Sequence, residues 1–283
     1  MSNPATIQPP TPPAVRIRAA ITHAARATGT DFSYLVAQAR LESGMNPHAE
    51  ARTSSASGLY QFIEGTWLRT LDKHGAAHGL DHLAGAIEQR GGRAIVRDPA
   101  MRERIMALRH DPEVSAVMAG ALAQDNRAAL LPVLGREPDA AELYLAHFLG
   151  AGGAAGFLRG LERDPHASAA ALLPEAAAAN RAIFYNDGEP RSLAQVMDVI
   201  RRRMERAMAD ESGVPPALAT PVTGQTIHAG HPARILATAS LRQPTPPSMS
   251  RMLEASFGLD TGAGGNAPAH IRAAYGKLKA LAL

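Results

Sequence analysis

Apolar side chains recur at three- and four-residue intervals up to about residue 209, the spacing of one face of an α-helix. A first helix is predicted over residues 14–28, with these positions facing inward: Val15, Ile17, Ala20, Ile21 and Ala24. A second helix is predicted to begin after Asp31, whose side chain can cap it, and to end at Gly44, where a left-handed cap is expected. The pattern indicates a mainly α fold.

Three later helix starts carry capping signals. Asp111-Pro112-Glu113 combines a capping residue, a first-turn proline and an acid near the positive helix end, and it predicts a central buried helix. Asp139 with Glu142, and Ser192 with Gln195, have the spacing of capping boxes. The last of these helices is expected to end the domain.

Polar and glycine-rich stretches separate the predicted helices. Residues 44–57 are small and polar, which indicates a loop lying over a groove, and Gly58 permits close approach of backbone to a ligand. Residues 84–100 are expected to form a connector that contains a weak helical segment. Trp67 serves either as a core anchor or as a platform for a sugar ring, since aromatic faces do both.

Three histidines, His74, His78 and His82, recur every four residues and would align as metal ligands on a continuous helix. Gly75 and Gly79 argue against such a helix, so no metal site is expected.

Composition supports helices packed through small side chains. Hydrophobic residues make up 46% of the chain but aromatics only 4%, and alanine is abundant. Since cysteine is absent, a disulfide framework, a thiolate metal site and a cysteine nucleophile are all excluded.

We predict four segments. Residues 1–13 form a proline-rich arm, disordered or extended, and residues 14–209 form the helical domain. Residues 210–266, rich in Pro, Gly, Ser and Thr, form a flexible linker. Residues 267–283 form a C-terminal amphipathic helix, whose apolar positions are Ile271, Tyr275, Leu278 and Leu281.

Charge and hydropathy restrict the partners. The formal net charge is +3 and the arginines are scattered apart from the run 201–203, so we expect a solvated helix face and no nucleic-acid partner. No stretch approaches the ~18 apolar residues of a transmembrane helix, so no stable membrane insertion is expected. The first residues lack the features of a secretory signal, so reaching a substrate outside the cytoplasm requires another export route.

Glu42 is the candidate acid. It is expected in the last turn of its helix, where unpaired carbonyls carry partial negative charge, on a face shared with Leu35 and Ala39. Both surroundings disfavour an ionised carboxylate, so Glu42 is expected to hold a proton that it can donate. A glycosidase uses such a group to protonate a leaving-group oxygen. The plain alternative is a surface glutamate at a helix end.

Glu42-Ser43 is followed, after residues 44–57, by Gly58-Leu59-Tyr60-Gln61. The pair resembles the lytic transglycosylase (SLT-type) catalytic domain of the lysozyme-like superfamily, which has a Glu-Ser pair and a Gly-Leu-Met-Gln turn at this spacing; here Tyr60 replaces the Met. The resemblance implies a lysozyme-like helical domain with a substrate groove. It implies that Glu42 is the acid and base. The residues implied to contact substrate are Ser43, Gly58, Leu59, Tyr60 and Gln61.

The resemblance also implies the reaction and its setting. Peptidoglycan glycan strands would be cut at the β-1,4 bond between N-acetylmuramic acid and N-acetylglucosamine, giving a 1,6-anhydro product without a cofactor. The implied location is the periplasm or envelope of a bacterium. Separately from the resemblance, we expect a secretion or envelope-assembly partner to contact the tails.

The sequence departs from the family at a second motif, Ala-Tyr-Asn-Ala-Gly. Aligning on Gly150, where a glycine run is expected to close the helix after Asp139, puts His147 on the Tyr and Phe148 on the Asn. The missing polar contact could come from Tyr144, His147 or Tyr185, and each of these could instead be a core residue. We favour Tyr185, because the turn after it would hold its side chain on a fixed support.

Two rival functions stay open. No second carboxylate is evident; Glu64 is the nearest, but it is expected to face solvent. A single acid suits substrate-assisted cleavage, in which the substrate's N-acetyl group replaces the nucleophile. The first rival is a muramidase that uses water in the same groove. The second is a non-catalytic wall-binding or assembly module, favoured if Glu42 points into solvent away from any groove.

Overall fold

The computed structural model describes residues 13–51 and 54–209, and this part of the chain is mainly helical. Its helices are α1 (Pro13–Thr28), α2 (Phe32–Ser43), α3 (Glu64–His74), α4 (Asp81–Ala84), α5 (Pro99–Ala107), α6 (Pro112–Leu134), α7 (Ala140–Arg163), α8 (Ala169–Leu172), α9 (Pro174–Ala179), α10 (Arg181–Phe184) and α11 (Leu193–Ala209). Two antiparallel hairpins pair β1 (Glu88–Arg90) with β2 (Arg93–Ile95) and β3 (Tyr185–Asn186) with β4 (Glu189–Pro190). The predicted mainly α class is confirmed.

The first and last described helices can be compared with the predicted segment boundaries. Helix α1 begins at Pro13, the last residue assigned to the arm, and α11 ends at Ala209, where the domain was predicted to end. The rest of the arm, the linker over 210–266 and the helix over 267–283 lie outside the described residues, so those assignments stay predictions.

The predicted ends of α2 are confirmed. The Asp31 carboxylate accepts a hydrogen bond of 2.7 Å from the Tyr34 backbone N–H, and Gly44 adopts the left-handed conformation, with φ +62°. In α1 the predicted inward positions are buried except Val15, which is 53% exposed. That assignment was wrong because Val15, in the first turn of α1, lies on the wall of an open groove.

Helix α6 is the central helix, as predicted, and packs against α1, α3 and α7. The Asp111 carboxylate caps it by accepting from the backbone N–H groups of Glu113 and Val114. At the crossing with α1, a Cβ placed on Gly120 would lie 2.4 Å from the Thr28 hydroxyl. The two helices therefore approach through a position where only glycine fits, in keeping with packing through small residues.

Helix α7 differs from its prediction at its far end. The Asp139–Glu142 capping box is present. The glycine run expected to close the helix produces a break instead, with Gly150 at φ +72° and ψ 158°, and helical structure then continues to Arg163. It continues because an apolar face resumes: Ala154 and Phe157 are fully buried in the core.

Helix α11 closes the domain against α2 and α7. The Ser192–Gln195 capping box is present, and the Arg40 guanidinium of α2 donates to the Ala207 carbonyl at 2.8 Å. The arginine run 201–203 was predicted to be solvated; Arg202 is exposed, but Arg203 is partly buried on the side of Tyr144. The prediction was wrong for Arg203, because one side of the helix packs on α2 and α7.

The predicted connector over residues 84–100 contains the β1–β2 hairpin over residues 88–95, where a weak helical segment was expected. Gly91 and Gly92 have φ of +55° and +76°, and Arg90 pairs with Arg93 across them. Two adjacent residues at positive φ form the tight turn that suits the twist of a hairpin, and Gly-Gly is a signal for it.

The remaining sequence alternatives are decided by burial. Trp67 has no exposed surface and its indole N–H donates to the Ile105 carbonyl at 2.9 Å, so it is a core anchor. Helix α3 ends at His74, whose ring nitrogen lies 2.8 Å from the Asp125 carboxylate, so the three histidines do not share one helix.

No three or more His, Cys, Asp or Glu side chains in the described part of the chain gather in a way that could hold a metal ion. None of the helices over 13–51 and 54–209 is long and apolar enough to cross a bilayer.

Candidate active site

Glu42 lies in the last turn of α2, as predicted, and its side chain has no exposed surface. The Tyr144 hydroxyl, on α7, donates a hydrogen bond of 2.9 Å to Glu42 Oε1. The expectation of an apolar face was therefore wrong in part: the carboxylate is buried, but against polar groups that cross from α7. A buried carboxylate of this kind costs stability unless it is hydrogen-bonded, and here Tyr144 supplies a donor.

His147 is the second residue of α7 that lies close to the Glu42 carboxylate. Its Nε2 lies 3.4 Å from Glu42 Oε1, and its Nδ1 lies 3.1 Å from the Gln38 side-chain nitrogen. The His147 and Tyr144 rings stack with centroids 5.9 Å apart. Gln38 and Glu42 are four residues apart on α2, and Tyr144 and His147 are three apart on α7, so each pair lies on one helix face.

The phenols around Glu42 are kept protonated. Burial raises the pKa of Tyr144 well above its ordinary value, and the charge of Glu42 and the hydrogen bond to it add to the rise, while Arg203 opposes it. Burial followed by the Glu42 charge also raises the pKa of Tyr34. Tyr144 therefore stays a hydrogen-bond donor to Glu42 through and beyond the neutral range.

Ser43 joins the two sequence fragments that carry the resemblance. Its hydroxyl contacts the Leu59 carbonyl at 2.8 Å and the Ala39 carbonyl at 3.0 Å, and its Oγ accepts from the Asn46 backbone N–H at 3.1 Å. The Glu42-Ser43 pair and the 58–61 turn, far apart in the sequence, are thus in direct contact.

The turn itself is tightly held. Gly58 has φ +82°, and a Cβ placed there would lie 1.8 Å from the Arg109 carbonyl oxygen. Gln61 has φ +48°, and its side-chain N–H groups donate to the carbonyls of Ala49 at 3.0 Å and Gly58 at 2.9 Å. Gly58 is therefore required by the approach of protein backbone, a reason different from the ligand approach that was expected.

Leu59, Tyr60 and Gln61 all have buried side chains. Burial raises the pKa of Tyr60 well above its ordinary value. The Tyr60 hydroxyl is enclosed and finds no hydrogen-bond partner in the described part of the chain. The turn thus supports the site from beneath rather than presenting side chains to a ligand.

Two residues that the sequence analysis missed brace the loop over 44–57. His110 places Nδ1 3.2 Å from the Pro47 carbonyl and Nε2 3.0 Å from the Ser57 hydroxyl. The Arg109 guanidinium donates to the carbonyls of Ser55 and Phe62. No local pattern marks either residue, because both act on chain segments about fifty positions away.

Other predicted candidates lie apart from Glu42. The Tyr185 ring packs beneath the Arg181 guanidinium, 4.5 Å from its centroid, and Tyr185 makes no hydrogen bond to Glu42 within the described residues. Glu64 pairs with Arg102 at 2.6 Å on the surface, and Phe148 packs partly buried against the core. Of the three replacements considered for the family's polar pair, the fold brings Tyr144 and His147 to the acid.

A groove of about 1040 Å³ lies between the start of α1, the loop after Glu42 and the start of α6. Arg40, Met45 and His48 are among its lining residues, and Glu42 is not. Positions 40 and 42 lie about 200° apart around an α-helix, so the groove opens on another face of α2 than the one that carries the acid.

No model of a known protein family matches this chain.

Proposed function

We propose that the protein is a peptidoglycan lytic transglycosylase, with a lysozyme-like helical domain and Glu42 as its acid and base. The observation that carries the proposal is the contact of Ser43 with Leu59 at 2.8 Å, which brings the Glu-Ser pair and the Gly-Leu-Tyr-Gln turn together beneath a buried carboxylate. Buried carboxylates with convergent polar partners cluster at functional sites, because packing alone does not require them.

The chemistry needs one transferable proton. Protonated Glu42 gives its proton to the glycosidic oxygen between N-acetylmuramic acid and N-acetylglucosamine, and the bond from that oxygen to the muramyl C1 breaks. The Glu42 carboxylate then takes the proton of the muramyl 6-hydroxyl, whose oxygen bonds to C1 and closes the 1,6-anhydro ring. Atoms and protons balance without a cofactor, and Glu42 ends protonated as it began.

The position of Glu64 fits this scheme. Glu64, the candidate second carboxylate from the sequence, is paired with Arg102 on the surface. The substrate's own N-acetyl group then acts in place of an enzyme nucleophile, an exception to the two-carboxylate rule. The setting we propose is the periplasm or envelope of a bacterium, where the substrate lies, with a secretion or assembly partner at the tails.

The test is Glu42→Gln, which keeps the size and hydrogen bonding of the side chain but removes the proton. Digestion of purified peptidoglycan should fall by at least ~100-fold, the scale of general acid catalysis, with the melting temperature nearly unchanged. Glu64→Gln is the matched control and should digest normally. A folded Glu42→Gln protein that keeps most of its activity would exclude Glu42 as the acid.

Mass spectrometry of the wild-type products separates the lyase from the muramidase. A lyase releases anhydromuramyl ends, since the 6-hydroxyl attacks C1. A muramidase in the same groove would release reducing muramyl ends, since water attacks instead. If reducing ends were the main product, the protein would be assigned as a hydrolase instead of a lyase.

A second candidate function is a non-catalytic wall-binding or assembly module. Glu42 does not point into solvent, which was the sequence criterion for this module, but another observation supports it. The Glu42 side chain has no exposed surface, and the large groove opens on another face of α2. An acid catalyst has to come within hydrogen-bond reach of the scissile oxygen, so catalysis requires the covering residues to move. Sedimentation with peptidoglycan without any soluble product would select the binding module.

A further inference from the structure

We infer that Gln38 is a positioning residue that sets the tautomer of His147, so that the His147 Nε2–H faces Glu42 and stabilises the carboxylate formed when Glu42 gives up its proton. The inference rests on the proposed role of Glu42 as acid and base. It gives a role to both His147 and Gln38, and Gln38 belongs to no sequence motif.

The first step is the direction of the Gln38 hydrogen bond. The Gln38 Nε2 lies 3.1 Å from His147 Nδ1, and an amide nitrogen can only donate. In this orientation of the Gln38 amide, Nδ1 accepts with its lone pair. A neutral imidazole with an unprotonated Nδ1 carries its proton on Nε2, the nitrogen that faces Glu42.

The second step is the convergence of donors on one oxygen. The Tyr144 hydroxyl donates to Glu42 Oε1 at 2.9 Å, and His147 Nε2 approaches the same oxygen at 3.4 Å. Tyr144 therefore already donates to Oε1, and His147 Nε2 is the second group close to the same oxygen.

The third step is the length of the His147 contact. At 3.4 Å it is longer than a well-formed N–H···O hydrogen bond, whereas the Tyr144 bond is already tight. Full negative charge on Oε1 strengthens a hydrogen bond and shortens it. His147 therefore gains most of its interaction after proton transfer, which is the kind of differential stabilisation that raises kcat.

The charged and titratable groups around Gln38 and His147 come from three helices. Tyr34 and Glu42 face it from α2, Tyr144 lies beside His147 on α7, and Arg203 of α11 lies close enough to act on Tyr144. Replacing neutral Gln38 by an acid would add a new charge to this set, directly against Nδ1.

The test is Gln38→Glu, which keeps the shape of the side chain but offers Nδ1 only acceptors, so Nδ1 has to carry a proton. In the full-length protein labelled with ¹⁵N-histidine, the wild-type His147 should show a neutral ring protonated at Nε2. In the variant it should show a protonated Nδ1. The signal among the 11 histidines is the one that His147→Gln removes.

Turnover should change with the tautomer. We expect kcat on peptidoglycan to fall about 10- to 100-fold in Gln38→Glu with KM nearly unchanged, the scale of losing a hydrogen bond to a charged group. Gln124→Glu is the matched control: its amide donates to Thr30, which precedes the start of α2, whereas Glu42 lies at the other end of that helix, so kcat and the His147 signal should stay as in the wild type.

Two variants of His147 test the same inference if Gln38→Glu does not fold. The amide nitrogen of a glutamine reaches the place of Nε2, whereas that of an asparagine does not, so His147→Gln should lose clearly less kcat than His147→Asn. Equal losses would overturn the role of the Nε2–H, and so would a wild-type His147 protonated at Nδ1. If Glu42→Gln still cleaves, the proposed function fails instead, because the tautomer is read without activity.

Discussion

The environment of Glu42 is set by individual side chains from another helix. The sequence places Glu42 on a face with Leu35 and Ala39, yet what meets its carboxylate is the Tyr144 hydroxyl at 2.9 Å and the His147 ring. A hydroxyl donor in a buried site stabilises negative charge that an apolar surface would penalise. The position of Glu42 on its helix therefore does not determine how its carboxylate is stabilised, because that depends on the neighbouring side chains from α7.

Removal of the Tyr144 hydroxyl tests whether this single donor stabilises the Glu42 carboxylate. Tyr144→Phe should lower peptidoglycan turnover about 10- to 100-fold, because the ionised Glu42 loses a charge-assisted donor, and should cost roughly 1 to 3 kcal/mol of stability. Tyr185→Phe is the comparison, since the sequence favours Tyr185 and the fold places it under Arg181. A larger loss of turnover at Tyr185 would restore the sequence-based preference.

At the scale of elements, the 58–61 turn is shaped by its contact with the backbone that precedes α6. Gly58 and Gly44 both have positive φ, but a Cβ on Gly44 would meet nothing within 4 Å, while one on Gly58 would meet the Arg109 carbonyl at 1.8 Å. Two glycines with the same backbone conformation thus differ in whether neighbouring chain excludes a side chain.

This difference predicts unequal costs for one substitution. Gly44→Ala should cost about 1 to 2 kcal/mol, the penalty of a left-handed conformation for an L-residue. Gly58→Ala should cost roughly 2 to 4 kcal/mol, since displacement of the Arg109 backbone adds to that penalty. Urea unfolding monitored by circular dichroism measures both. Equal costs would mean that the turn moves away from Arg109 easily.

For the whole molecule, α11 is the element that closes the described domain. It buries Val196, Ile200 and Met204 against α2 and α7, and its Ala207 carbonyl accepts from Arg40. The helix that carries Glu42 is therefore held by an element from the end of the described chain.

Two truncations test that organisation. Removal of residues 210–283 keeps α11 and should leave a folded, active core with little change in melting temperature, because the Pro- and Gly-rich linker predicted after residue 209 offers few long-range contacts. Removal of residues 193–283 takes α11 away and should abolish cooperative unfolding, since the apolar faces of α2 and α7 lose their cover. A large drop in melting temperature for the shorter deletion would mean that residues after 209 stabilise the domain.

Local physics accounts for what the sequence determined by itself. Caps depend on residues three or four positions apart, so Asp31, Asp111 and the Asp139–Glu142 box could be read directly, and with them the helical class and the position of Glu42 in a last turn. The hairpin at Gly91-Gly92 is equally local, but the charge and glycine content of residues 84–100 suit a connector as well as a hairpin, so the sequence prediction missed it.

Only the tertiary structure decided which distant groups meet. The packing of α2 against α7 and α11 turns Gln38 toward His147, and the path before α6 brings the Arg109 carbonyl against Gly58, across separations that no periodic pattern encodes. The break at Gly150 ends no helix, because Phe157 still has a core to bury in. Propensity and capping act within a turn of chain, whereas burial acts across the whole molecule, so the elements were predictable and the surroundings of Glu42 were not.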